Sequence, residues 1–255
     1  MPTVTLLSKV YNAQQLKLVE NQLKSILKGL KIKIENLEVA PRGWIQVNFS
    51  GEDEKAALSY LEEEIGLCPV RIENIKKFST KGYITGLGKS KDELCLDIGI
   101  TSPKTMNATI SLQHLQAQLA DGRKIALKKL TELFGFCENL PLKAKITRIN
   151  ENHIEATMAE TQLKLYKKWI KSLLDRLIIL GASQQEIKTA LKNSRCQNDI
   201  VEIEKLGLFE QAVACKLGTD AVGLITKVGR NLPNATLSVL KPKTILEFFQ
   251  NFYFT

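Results

Sequence analysis

A chain of 255 residues that is 44% apolar and 25% charged has the material for two or three small folded domains, which excludes disordered and fibrous classes. Its net charge is +9, and residues 161–255, with 14 basic and 8 acidic side chains, hold +6 of it. That surplus draws polyanions and makes nucleic acid the leading partner class, while the greasiest run, Leu173 to Leu180, is interrupted by Asp175 and Arg176 and is too short to span a membrane.

Residues 1–77 alternate between strand and helix patterns. Thr3 to Val10 is a β-rich run, and Gln14 to Gly29 places Leu16, Val19, Leu23, Ile26 and Leu27 on one helical face. Ile32 to Val39 and Trp44 to Phe49 read as a hairpin joined through Pro41, Arg42 and Gly43. A second helix opens at Ser50 with Glu52, Asp53 and Glu54 in its first turn, and a last strand runs from Val70 to Ile75. The order βαββαβ predicts a ferredoxin-like unit: two helices on one face of a four-stranded antiparallel sheet, the other face open. The third strand, from Arg42 to Phe49, loosely resembles the basic-Gly-aromatic octamer of RNA recognition motifs. Alternation puts Ile45, Val47 and Phe49 inside and Trp44 outside, where it either stacks a base or packs on a neighbour.

From residue 78 the rhythm changes. Gly82 to Ile84, Leu94 to Gly99 and Ala108 to Leu112 are three strand-like runs; a mainly helical insertion covers 115–138; Leu142 to Ile149 and His153 to Met158 complete five strands. Five strands with a helix before the fourth predict an OB-type barrel over 78–160. The pieces GYITG, ELCLDIG and NATISLQHL resemble, in order, the first three strands of the OB-type RNA-binding domain named after the largest protein of the small ribosomal subunit. In layout the whole chain, with its segment CKLGTDAVGLI from Cys215 to Ile225, resembles an uncharacterised archaeal family known only as a domain of unknown function. In OB folds the nucleic-acid face lies on strands two and three and the loops 1–2 and 4–5. This assigns Tyr83, Lys89, Lys91 and His114, with Lys143, Lys145, Arg148 and His153 nearby, although Leu94 and Leu96 stand where a stacking aromatic is useful.

Residues 161–255 predict a basic α+β domain. A helix from Thr161 to Leu180 sets Lys164, Lys167, Lys168 and Lys171 outward, either as a phosphate-binding stripe or as a solvated face. A helix from Ser183 to Asn193, a hairpin about Gly207, a helix from Asp220 to Val228 and a strand from Ala235 to Leu240 follow.

The chemistry of catalysis is thinly represented. Gly88, Lys89 and Ser90 end like a P-loop, but Tyr83 stands at the position of its first glycine and the segment joins two strands. Five widely spaced cysteines without a CxxC pair read as reduced cytosolic thiols, and with two histidines the chain offers almost no ligands for zinc. The start, Met1 to Gln15, lacks the pattern of a signal peptide. The expectation is therefore a cytoplasmic, non-enzymatic RNA-binding protein without metal or cofactor, associated with the ribosome or the transcription machinery. The alternative is an adaptor that docks partner proteins through the barrel and the open sheet.

Overall fold

The structure, a computed structural model, describes residues 3–75 and 80–251. In chain order its elements are β1 (Thr3–Lys9), α1 (Gln15–Ile26), β2 (Ile32–Val39), β3 (Trp44–Gly51), α2 (Glu54–Glu64) and β4 (Val70–Arg71). There follow β5 (Thr80–Ile84), β6 (Glu93–Ser102), β7 (Met106–Ser111), α3 (Leu112–Leu119), α4 (Leu127–Phe134), β8 (Pro141–Ile149) and β9 (Ile154–Met158). The rest comprises α5 (Glu160–Ser172), β10 (Arg176–Leu180), α6 (Gln184–Asn193), β11 (Ile200–Lys205), β12 (Glu210–Cys215), α7 (Ala221–Gly229), β13 (Thr236–Leu240) and α8 (Pro242–Asn251). The chain forms two compact units, residues 1–75 with 98–105, and residues 76–97 with 106–255. The expected boundary at 77/78 lies outside the described residues.

In the first unit β1, β3 and β2 form an antiparallel sheet in that order. Its buried face carries Ile45, Val47 and Phe49 of β3, with Val19 and Leu23 of α1 and Ala57 and Leu61 of α2 as the matching apolar stripes. Gln46, Asn48 and Ser50 alternate with these and are half-buried on the opposite face. Among the described residues the sheet has three strands, not the expected four. Beside β1 the fourth position holds only the bridge Leu6↔Leu67, flanked by hydrogen bonds from Leu7 N to Gly66 O and from Cys68 N to Thr5 O. Pro69 follows at once; it has no N–H to continue a ladder, and Val70 at φ 59° turns the chain away. The strand expected over Val70 to Ile75 is thus cut to Val70–Arg71, which pairs in parallel with Ile100 and Ser102, and Ile72–Asn74 is a 3-10 turn.

The second unit begins with a closed five-stranded barrel. Around it the order is β6, β5, β8, β9, β7 and back to β6, with β7 parallel to β9 and β5 antiparallel to both β6 and β8. This connectivity is consistent with an OB-type barrel. The interior follows the period-2 pattern of the sequence: Ile84, Leu94, Leu96, Ala108, Ile110, Leu142, Ala144, Ile146, Ile154, Ala156 and Met158 are all buried. The helical insertion before the fourth strand is α3 and α4, and Ser111 caps the first by accepting from His114 N.

The C-terminal part of the same unit is an antiparallel sheet in the order β11, β12, β10, β13. Here one expectation is overturned. The helix α5 stops at Ser172, where Leu173 takes a left-handed conformation at φ 56°, and the run that follows is the central strand β10 rather than more helix. Leu177, Ile178, Ile179 and Leu180 are fully buried on both faces, and a continuous apolar run of this length suits a strand covered from two sides. One face meets α6 and α7 through Leu177, Ile179, Ile187, Leu191, Val213, Leu224 and Val228. Toward the other lie Trp169 of α5 and Gly135 beyond α4, whose carbonyl accepts from Ser238 Oγ. The C-terminal helix α8, absent from the sequence reading, packs against α4 and α5, with Ile245 buried and the Phe249 carbonyl accepting from Arg123.

Helix α6 starts on a full capping box: Ser183 Oγ accepts from Glu186 N at 3.3 Å, and the Glu186 carboxylate accepts from Ser183 N at 2.7 Å. Ser183→Ala is expected to cost about 1 kcal/mol, read as a lower urea midpoint at unchanged slope.

Candidate nucleic-acid interface

Trp44, for which base stacking and packing on a neighbour both stood open, and Tyr83, assigned to the nucleic-acid face, are inside the protein. Trp44 is fully buried in the first unit, with Lys9 Nζ 4.8 Å from its ring centroid. The bulge in β1 between Leu6 and Lys9 sets Lys9, not Leu7, opposite Trp44, so simple alternation misplaces this end of the strand. Tyr83 is fully buried too, although its partners Asp97 and Pro141 put it out of phase with the interior positions Ile84 and Leu142. Neither ring offers a face to a base, which removes stacking contributions of about 1–3 kcal/mol per base. Tyr83 is thereby corrected from a residue of the nucleic-acid face to a packed side chain, and of the two readings of Trp44 the packed one holds.

The assigned cations separate into three groups. Lys143 and Lys145 alternate with the buried Leu142, Ala144 and Ile146 along β8 and point out of the barrel. The β5–β8 register sets Lys81 directly opposite Lys143, a cation that sequence reasoning missed because only pairing reveals it. Lys81 is engaged on its own strand as well, with its Nζ 5.6 Å from the centroid of the Tyr83 ring. A bulge after Ile146 brings Arg148 opposite Glu155 of β9. The second group, Lys89 and Lys91, lies exposed in the turn between β5 and β6. That turn is fastened by Glu138, whose carboxylate accepts from Gly86 N at 3.0 Å and Leu87 N at 3.1 Å.

The third group is on α5, which is rooted beside the first: Gln162 Oε1 accepts from Lys143 N at 3.0 Å, and Ala159 N donates to Lys143 O at 2.9 Å. Tyr166 and Trp169 form the buried face of the helix, packed edge to face with ring centroids 5.4 Å apart. Burial raises the Tyr166 hydroxyl well above its usual range, so it stays neutral. Lys164, Lys167 and Lys171 are exposed and have no acidic partner among the described residues. Lys168 differs: its Nζ is 3.3 Å from Glu204 Oε1, in a cluster with the buried Arg176 and the Trp169 indole. It belongs to the fold more than to a free stripe.

The outer face of β6 and β7, where an OB barrel commonly binds, is not cationic. Its outward positions include Glu93, Cys95, Asn107, Thr109 and Ser111. Both histidines sit here in local contacts, His114 Nδ1 3.1 Å from Ser111 Oγ and His153 Nε2 3.2 Å from Thr109 Oγ1. Burial, reinforced by Glu93, raises the Cys95 thiol. The cations instead follow the β5–β8 side and α5. Among the described residues no group of three or more His, Cys, Asp or Glu side chains converges to hold a metal ion. At the start of α7, Asp220 accepts from Val222 N and Gly223 N and pairs with Lys241 at 2.9 Å, so those amides are capped from within the chain.

The crystal structure of a protein from Thermus thermophilus aligns with 98% of this chain at 13% identity and a TM-score of 0.20, and the chain spans 42% of that protein's length. No curated protein matches. The DUF2110 N-terminal domain matches residues 3–69, the DUF2110 central domain residues 76–170 and the DUF2110 C-terminal domain residues 174–240. The chain belongs to the DUF2110 family.

Proposed function

We propose that this protein is a non-enzymatic RNA-binding module that grips the phosphate backbone through the β5–β8 side of the barrel and the outer face of α5. The observation that carries this reading is the set of exposed lysines Lys143 and Lys145 on β8 and Lys164, Lys167 and Lys171 on α5, a helix whose first turn is hydrogen-bonded to the Lys143 backbone. A polyanion that meets these charges gains its affinity from phosphate contacts. Five cysteines free of disulfides support a reducing, cytoplasmic setting. The open face of the N-terminal sheet, with Gln46, Asn48 and Ser50, has polar side chains and supplies no stacking residue for a recognition-motif mode of binding.

Filter binding to RNA at several salt concentrations tests the proposal. Reversing Lys143, Lys145, Lys164, Lys167 and Lys171 to Glu is expected to lower affinity on the order of tenfold or more and to flatten the slope of log K against log salt by about 4. Lys168 is left in place because its charge is engaged with Glu204. Unchanged affinity and slope would sink the assignment of this surface. Protein partners retained after nuclease treatment, with no RNA bound at low salt, would favour the adaptor reading instead.

A further inference from the structure

We propose that two copies of this chain meet at the outer edge of β2, paired antiparallel about a two-fold axis between Glu35 and Asn36, whether or not RNA is bound. β2 ends the order β1, β3, β2, and among the described residues no strand pairs with it on its outer side. An edge of eight residues with unpaired backbone groups is a template for another strand. The apolar face of the sheet also reaches this edge unfinished. Ile32, Ile34, Leu37 and Val39 lie opposite Gly51, Phe49, Val47 and Ile45, on the side that holds the core. Ile45, Val47 and Phe49 are fully buried, whereas Ile32, Ile34 and Leu37 are half-buried and Val39 is 45% exposed.

The strand's own sequence identifies the occupant, because it is complementary to itself. Reversed against a second copy, Ile32 meets the partner's Val39, Lys33 the partner's Glu38 and Ile34 the partner's Leu37, and symmetry makes each pair occur twice. A regular strand forbids this pairing. Its side chains alternate between faces, so two-fold copies bring together only residues an even number of positions apart, and Lys33 and Glu38 are five apart. The bulge between Ile34 and Asn36 makes Glu35 an extra residue and shifts the phase by one, so Lys33 and Glu38 come to share a face, opposite Ser50 and Gln46. Registers centred on Lys33 or on Glu38 set like charges opposite each other, and only the register that spans the bulge joins all eight residues.

The charges are free to make these contacts. Glu35 is held by its own chain, accepting from Ser50 Oγ at 2.7 Å and from Lys33 Nζ at 2.9 Å. The Lys33 side chain is 77% exposed, and its ammonium has further protons for a second carboxylate. Glu38 accepts from Asn36 Nδ2 at 3.2 Å and is exposed too. Pairing joins the two three-stranded sheets into one and lets the apolar residues of the two edges cover each other. One paired edge is small for a specific interface, so the dimer is expected to dissociate on the order of micromolar concentrations.

Sedimentation equilibrium of the nucleic-acid-free full chain over a range of concentrations tests the proposal. The native protein should dimerise. Lys33→Glu or Glu38→Lys alone should weaken self-association on the order of tenfold, since each turns two attractive contacts into repulsive ones, and both should keep the native circular dichroism because the exchanged side chains are exposed. Mixed in equal amounts, the two variants present opposite charges to each other at both contacts and should form a heterodimer about as tight as the native dimer. Both substitutions on one chain should likewise restore self-association. A native chain that stays monomeric at about 500 µM would overturn the dimer. A dimer indifferent to both substitutions would overturn this edge as its seat. Folded variants that neither self-associate nor pair with each other would overturn the register.

Discussion

Glu204→Ala is expected to destabilise the second unit by about 3 kcal/mol, more than any single lysine on its surface, because it strips the counter-charge from a buried arginine. Arg176 is 1% exposed at the start of the central strand β10. Its guanidinium donates to Leu174 O at 2.9 Å and to Ser172 Oγ at 3.4 Å, but its only paired carboxylate among the described residues is Glu204, at 3.8 Å. The same carboxylate accepts from the Trp169 indole and from Lys168 Nζ, so alanine leaves the buried indole N–H without its acceptor and the buried guanidinium without its counter-charge. Glu204→Gln keeps an acceptor and should cost less than half as much. Urea unfolding followed by Trp169 fluorescence in a Trp44→Phe background is the measurement; equal losses in the two variants would refute the role of charge. Burial pushes the Glu204 carboxyl up, but the hydrogen bonds from Trp169, Glu202 and Lys168 and the Arg176 charge outweigh it and leave it below its usual value of 4.5. A carboxylate with a lowered folded pKa contributes stability that is fully present above about pH 4.5 and is lost as pH falls through the folded value. Acid unfolding of the native protein should therefore include a component that Glu204→Gln lacks.

This cluster shows why part of the fold was hidden in the sequence. Leu163, Tyr166, Ile170, Leu173, Leu174 and Leu177 form an unbroken helical stripe, so periodicity extends α5 through to Leu180. The chain instead reverses at Leu173, and the four apolar residues Leu177 to Leu180 are claimed by pairing with β12 on one side and β13 on the other. Tertiary pairing beats local period there, as it does at α8, which is defined by contacts with α4 and α5. The barrel was readable because β7, β9 and the first half of β8 alternate and the turns carry Gly, Lys, Asp and Asn. Along β8 the buried interior residues Leu142, Ala144 and Ile146 are each two positions apart, and the pairing with β5 and β9 runs without a shift as far as Ile146. The fourth strand of the first unit was misjudged although its warning stood in plain sight, since Pro69 cannot donate to a ladder.

The interface was legible only in its residue types. Lysines at Lys143, Lys145, Lys164, Lys167 and Lys171 could be named from spacing, but which strand faces which is a property of register, and Lys81 joins them only through the β5–β8 pairing. The aromatic assignments failed because an aromatic at an outward strand position is exposed only if nothing covers that face. Tyr83 is buried, and Trp44 lies beside a bulge that changes the phase of its partner strand.

Gly99→Ala should destabilise the first unit by about 4 kcal/mol. Gly99 has φ 80°, which costs a side chain about 1–3 kcal/mol, and a methyl group there is driven into Sγ and Cβ of Cys68 and within 3.6 Å of Trp44 Cζ2. Cys68 has little room to yield: it is 8% exposed, and its thiol donates to Leu6 O at 3.3 Å. Overpacking of this kind adds another ~1–3 kcal/mol. The two contributions can be separated by a double-mutant cycle with Cys68→Ala, which removes the sulfur but leaves the backbone strain. If the clash is real, Gly99→Ala should cost about 2 kcal/mol less in the Cys68→Ala background than in the native one. A cost that is identical in both backgrounds would show that the sulfur of Cys68 carries none of the penalty, which would then fall on the left-handed backbone and on Cβ of residue 68.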